Sequence, residues 1–304
     1  FRVKNENEFY EQLLSEIIKA SSSKWEEWIK SAKSLLKGLV SSFSVGVDPY
    51  QDFKFKLNWE DPEMLQNAVL ELPERIAIKK KIKFVICIDE FQKIDDFSDS
   101  LQIQQKLRSN WQSHQNCSYC LYGSKYHIIN KLFSNESMPF FRFGDIIYLD
   151  KIPEKHWRKF IAKGFNSVNK TIDKKYIEYI INLSNNLPFH VQQLSHQVWR
   201  LTEDIVDDKV FQLAIDELLK YNNILYGRMI DDLSELQINL LKAISEGESK
   251  LNSKSVIQKY NLGTSGNVET IKKALMKKEI ISFTGKSPEF EDPLFAYWFR
   301  NDYC

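Results

Sequence analysis

The sequence predicts an α/β protein whose parallel-sheet core is followed by a wholly helical domain and a winged helix-turn-helix. Three observations predict it. Apolar runs of strand length, FVICIDE, CSYCLYGS and DIIYL, alternate with helical stretches between residues 84 and 149, the pattern of a parallel sheet. From 153 to about 226 only helical periodicity is found. From about 233, three helical segments precede the strand pair IISFTG and PEFEDPLF, the order of a winged helix. The expected domains are 1–151, 152–232 and 233–304.

Asn5 or Asn7 can cap a first helix with Phe9, Leu13, Leu14, Ile17 and Ile18 near one face. A second helix is expected over 25–39. SSFSVGVDPYQDFKFKLNW then reads as a hairpin, an insertion turned at VDPY. Pro62 and Glu63 open a helix running to about Ile78, and the KKKIK lysines after it read as a solvated helix end. A polar helix over 98–111 and the helix HIINKLF separate the strands. The helical domain is expected to hold helices over 154–165, 174–182, 188–201 and 207–221.

A hydrophobic content of 43% and a charged content of 27% exclude a disordered chain. The net charge of +1 announces no nucleic-acid surface. Four cysteines in 304 residues exclude a disulfide framework. Cys117 and Cys120 have C-x-x-C spacing, yet no second pair or histidine arrangement completes a zinc site, so strand and loop packing is expected of them. The sequence contains no run of about 18 apolar residues and opens on no signal sequence, which predicts a cytoplasmic protein with no membrane partner.

The chemistry-bearing residues lie at strand ends. Asp89 and Glu90 close the apolar run 84–88 at the edge where open α/β sheets bind ligands. There one acid can hold Mg²⁺ through water while its neighbour orients an attacking water. Gly123 and Ser124 end the next strand at the same edge, where a hydroxyl can sense a γ-phosphate or position water. The alternative for the acidic pair is a solvated turn.

FVICIDEFQ, CLYGSKYHIINKLF, PFFRFGDIIYL, NNLPFHVQQL and DPLFAYWFR, in this order, resemble the archaeal-type ATPases of the STAND branch of AAA+ proteins over nearly the whole chain. The resemblance implies a P-loop NTPase core, a helical lid and a winged helix, with ATP and Mg²⁺ as cofactors. By it, Asp89 and Glu90 look like the Walker B pair, with Asp89 on Mg²⁺ and Glu90 on water. Ser124 takes the sensor 1 position, and Arg142 an arginine position before the next strand. Pro188 matches the G-x-P proline near the nucleotide; the glycine of that motif is replaced in Asn185-Asn186-Leu187, and His190 is a substitute contact or a structural histidine.

No G-x-x-x-x-G-K-[ST] occurs in the 304 residues; before Gly285-Lys286-Ser287 the earlier glycine is replaced by Ile280. In the family this loop precedes a helix like that at 7–19, so the expectation is an AAA+-like core lacking its first strand and phosphate loop, which lie upstream. The rival is a pseudo-ATPase interaction module. Arg142 is placed either to reach a γ-phosphate, in its own or a neighbouring subunit, or in a surface ion pair. Lys272, Lys273, Lys277 and Lys278 on the third winged-helix helix offer DNA a basic face or form a solvated one. The expected partners are nucleotide, a protein of unknown identity, DNA through the winged helix and a second copy of the chain.

Overall fold

The computed structural model of the chain describes residues 3–21, 43–47, 53–284 and 287–304. They form two compact units, Phe1–Tyr148 and Leu149–Cys304.

In the first unit, α1 spans Glu6–Ser21 and is capped by Asn5, whose Oδ1 accepts from the Glu8 amide at 2.9 Å. Its apolar face is buried at Phe9, Tyr10, Leu13, Leu14, Ile17 and Ile18. The helix expected over 25–39 lies outside the described residues. Strands β1 (Phe43–Val47) and β2 (Phe53–Leu57) pair antiparallel, as their alternation predicts; the turn between them lies outside the described residues. Helix α2, Pro62–Lys80, starts on an Asp61 cap with Pro62 at its first turn and ends at Lys81, which is left-handed at φ 55°. A 3₁₀ turn over Phe91–Asp96 precedes α3, Ser100–Trp111. Helix α4 covers Tyr126–Ser134.

Strands β3 (Phe84–Ile88) and β4 (Cys117–Leu121) pair parallel, with Phe84 opposite Cys117 and Ile88 opposite Leu121. Alternation sends Phe84 and Ile88 into the core and Val85, 70% exposed, outward. Cys87, Ser118 and Cys120 are exposed as well. The apolar run 84–88 reads as a strand covered on both faces, yet no element among the described residues covers the face of Val85. DIIYL is a second departure. Residues 145–150 form no strand, and Ile147 (82%) and Leu149 (93%) are exposed. An apolar run becomes a strand only where a neighbour completes its hydrogen-bond ladder.

The second unit contains α5 (Glu154–Asn166), α6 (Lys174–Leu183), α7 (Pro188–Leu201) and α8 (Asp208–Asp231). Then follow α9 (Glu235–Ser245), α10 (Lys254–Lys259), α11 (Ser265–Lys277), an antiparallel wing of β5 (Ile281–Thr284) and β6 (Ser287–Phe290), and α12 (Pro293–Trp298). Helix α8 runs ten residues beyond the expected Tyr221, because Tyr226 and Ile230 bury on its inner face. One hydrophobic core runs without a break from Trp157 through Tyr226 to Phe299. It joins α5–α8 to the winged helix.

Candidate functional site

The site begins with how β3 stops. Tyr122 N–H donates to Ile88 O at 3.1 Å and Phe91 N–H to Tyr122 O at 3.0 Å, which carries the pairing past both strand ends. Between those two anchors Glu90 adopts a left-handed conformation, φ 50°, a strained region for a residue with a side chain. Phe91 is buried and packs edge-on against Phe140 at 5.3 Å. Burial of this ring fixes the backbone and leaves both acids at the sheet edge.

There the structure brings three of the expected residues together. Ser124 Oγ donates to Glu90 Oε2 at 3.1 Å, and Asp89 Oδ1 accepts from the Glu90 amide at 2.8 Å. Asp89 and Ser124 are exposed and Glu90 is half-buried. Beside them a cavity of about 20 Å³, lined by Val3, Phe9, Ile88, Asp89 and Glu90 among others, has room for a water but not for a nucleotide.

The sequence reading missed Gln92. Its side-chain amide donates to the same Glu90 Oε2, while its own Oε1 is buried with no hydrogen-bond partner. At 2% exposure Gln92 is a buried polar group tied to the acid it follows by two residues. Nothing in FVICIDEFQ marks it, since a glutamine after an aromatic residue is ordinary loop composition. Gly123 is explained by the same contact: a Cβ there would overlap the Gln92 amide oxygen.

Arg142 lies outside this group, and Pro188 belongs to the second unit. Arg142 is exposed and left-handed at φ 53°, with its guanidinium 4.9 Å over the ring of Phe141. Among the described residues it makes no recorded contact with Asp89, Glu90 or Ser124. Pro188 is the exposed first residue of α7 in the second unit. Just before it, Asn185 and Asn186 take left-handed conformations, φ 48° and 59°, which asparagine tolerates best after glycine. Asparagines thus shape the backbone where the G-x-P glycine is missing.

His190 is half-buried, its Nδ1 3.7 Å from Asp292 Oδ1, and burial holds its pKa below the ordinary histidine value against the pull of Asp292. Asp292 also accepts from Tyr226 Oη at 3.0 Å and from the Leu294 and Phe295 amides at the start of α12. Of the winged-helix lysines, Lys272 is paired with Glu269 at 2.8 Å and lies over the Phe283 ring, and Lys278 donates to Asp232 O at 2.9 Å. Half of the expected basic face is therefore engaged within the chain. No helix among the described residues is long and apolar enough to cross a membrane.

Residues 224–301 match the family described as "Probable winged helix domain". The structure is similar to that of a Walker-type ATPase of Pyrococcus abyssi, with a TM-score of 0.60 and 18% identity over 96% of this chain and 79% of that one. A weaker likeness, TM-score 0.41 and 12% identity over 98% and 93%, is to the Aeropyrum pernix Orc1 protein in complex with DNA. No curated protein matches the sequence. The comparisons show the fold, an α/β unit with parallel strands like that of the Pyrococcus abyssi protein, and a winged helix domain over residues 224–301.

Proposed function

We propose that the chain is an ATP-binding and ATP-hydrolysing switch of the STAND type, in which lid 152–232 and winged helix 233–304 respond to the nucleotide. The observation that carries this reading is the Glu90 carboxylate, held by Ser124 and Gln92 at the C-terminal edge of two parallel strands. A carboxylate positioned there serves as base toward a water, and the exposed Asp89 beside it suits a water-mediated Mg²⁺. The donor set fits the metal, two carboxylates and a hydroxyl being hard oxygen ligands. Bound with ATP, Mg²⁺ neutralises charge on the transferring phosphoryl group.

In this reading Glu90 takes the proton of the attacking water, Ser124 senses the γ-phosphate, Arg142 reaches it from its own or a neighbouring subunit, and Pro188 opens the lid helix near the nucleotide. No phosphate-cradling glycine loop is present in the 304 residues. The face of β3 and β4 that no described element covers is where a helix following such a loop would pack, since parallel sheets are covered on both faces. A second reading, a non-catalytic interaction module, keeps the fold and dispenses with turnover.

The test is ATP hydrolysis by the full-length gene product beside Glu90→Gln, which keeps the shape and removes the base. Loss of roughly 10²-fold or more in kcat supports the switch. Equal rates in both proteins, or none in either, favour the interaction module. DNA binding through the winged helix is tested by the salt dependence of duplex affinity, with Lys273→Glu as the comparison.

A further inference from the structure

At the opposite end of the parallel pair from Asp89 and Glu90, three side chains from separate elements converge. Glu74 comes from α2, His114 from the turn after α3, and Cys117 from the first position of β4. One ligand atom from each lies within 4.8 Å of the other two, and all three residues are half-buried. The C-x-x-C spacing is incidental to this cluster. Cys117 and Cys120 are an odd number of residues apart on one strand, so they project to opposite faces, Cys117 half-buried and Cys120 exposed.

We propose that Glu74, His114 and Cys117 form a binding site for a divalent cation of the zinc class, with a fourth position left for water. Carboxylate, imidazole and thiolate are all zinc ligands, and together they carry two negative charges against the cation's two positive ones. Zinc bonds of about 2.0–2.3 Å place ligand atoms roughly 3.3–3.8 Å apart, so side-chain rotations closing about 1 Å complete the site.

Two of the three ligands, Glu74 and His114, are already oriented by a group outside the cluster, as metal ligands generally are. Asn116 donates to the Glu74 carboxylate from its backbone N–H at 2.9 Å and its side-chain amide at 2.7 Å. Tyr119 Oη lies 2.7 Å from His114 Nδ1, and its ring stacks on Trp111 at 4.3 Å, which fixes the imidazole through a rigid aromatic pair. As the Sγ–metal bond forms, the Cys117 thiol proton leaves to the buffer. The bound ion ties α2 to the start of β4, a structural role remote from the acidic pair.

The experiment is titration of the chelator-treated full chain with Co²⁺, followed by displacement with Zn²⁺. Expected are a sulfur-to-cobalt charge-transfer band, d–d bands of tetrahedral intensity, and loss of both on adding an equimolar amount of Zn²⁺. Cys117→Ser abolishes the charge-transfer band, and Cys120→Ser, on the other face, leaves it intact. His114→Gln, checked for native circular dichroism, weakens Zn²⁺ binding by more than about tenfold, and serves if Cys117→Ser fails to fold. The proposal is overturned by absence of the band, by a band that survives Cys117→Ser or disappears with Cys120→Ser, or by unchanged affinity in His114→Gln.

Discussion

Ser124 Oγ and Glu90 Oε2, 3.1 Å apart, join the ends of two parallel strands that are 34 residues apart in sequence. The bond holds the acid in place from the neighbouring strand, and its loss leaves Gln92 as the remaining recorded donor to that oxygen. Ser124→Ala is expected to lower ATP hydrolysis by the full-length protein roughly ten- to hundredfold, the effect of misplacing a catalytic group by about 1 Å. Because Ser124 is exposed, its melting temperature should hardly move. A large fall in melting temperature would instead make the serine structural.

Gly123→Ala tests the same clamp from behind. The new methyl group overlaps the Gln92 amide oxygen, so the buried glutamine must swing away from Glu90. A stability loss of about 1–3 kcal/mol is expected in urea denaturation, with hydrolysis reduced alongside. Full stability with full activity would show that Gln92 does not position the acid.

The second unit should depend on pH through His190. Its folded pKa is depressed by burial, so the unfolded chain binds the proton more tightly. Stability is therefore complete above the ordinary histidine value of about 6.5 and declines as pH falls below it toward the depressed one. Thermal melts between about pH 7.5 and 5 should show this decline, and His190→Asn should flatten it. Parallel curves for the two proteins would remove His190 as the cause.

Tyr226→Phe removes the hydroxyl bond to Asp292, which also caps α12. A buried bond to a carboxylate contributes about 1.5–3 kcal/mol. Since one core joins α5–α8 to the winged helix, the variant should lower a single transition of residues 149–304 and not split it. Two separated melting steps would show that the winged helix folds independently.

Much of this architecture is legible in the sequence because it rests on periodicity and caps. Asn5, Pro62 and the apolar faces of α1 and α2 announce themselves, as do the β3 and β4 runs and the wing. The length of α8 is not legible from local pattern, since the expected end at Tyr221 falls ten residues short. Asn222 returns its amide to Leu218 O, and burial of Tyr226 and Ile230 carries the helix on. At the site, the acidic pair and Ser124 follow from strand ends alone. Gln92 does not, since its role depends on a burial that no local pattern encodes, and DIIYL misleads because strand pairing is a property of neighbours.

The face of the sheet that no described element covers has a practical consequence. Cys87 and Cys120 are register partners on it, both exposed, whereas Cys117 points the other way and is half-buried. The two thiols form a built-in reporter on that face. Maleimide labels them readily in the chain as described, and any strand, helix or partner that docks over the sheet shields them together. Their rate of modification therefore measures how often that face is open, without a probe having to be engineered into the protein.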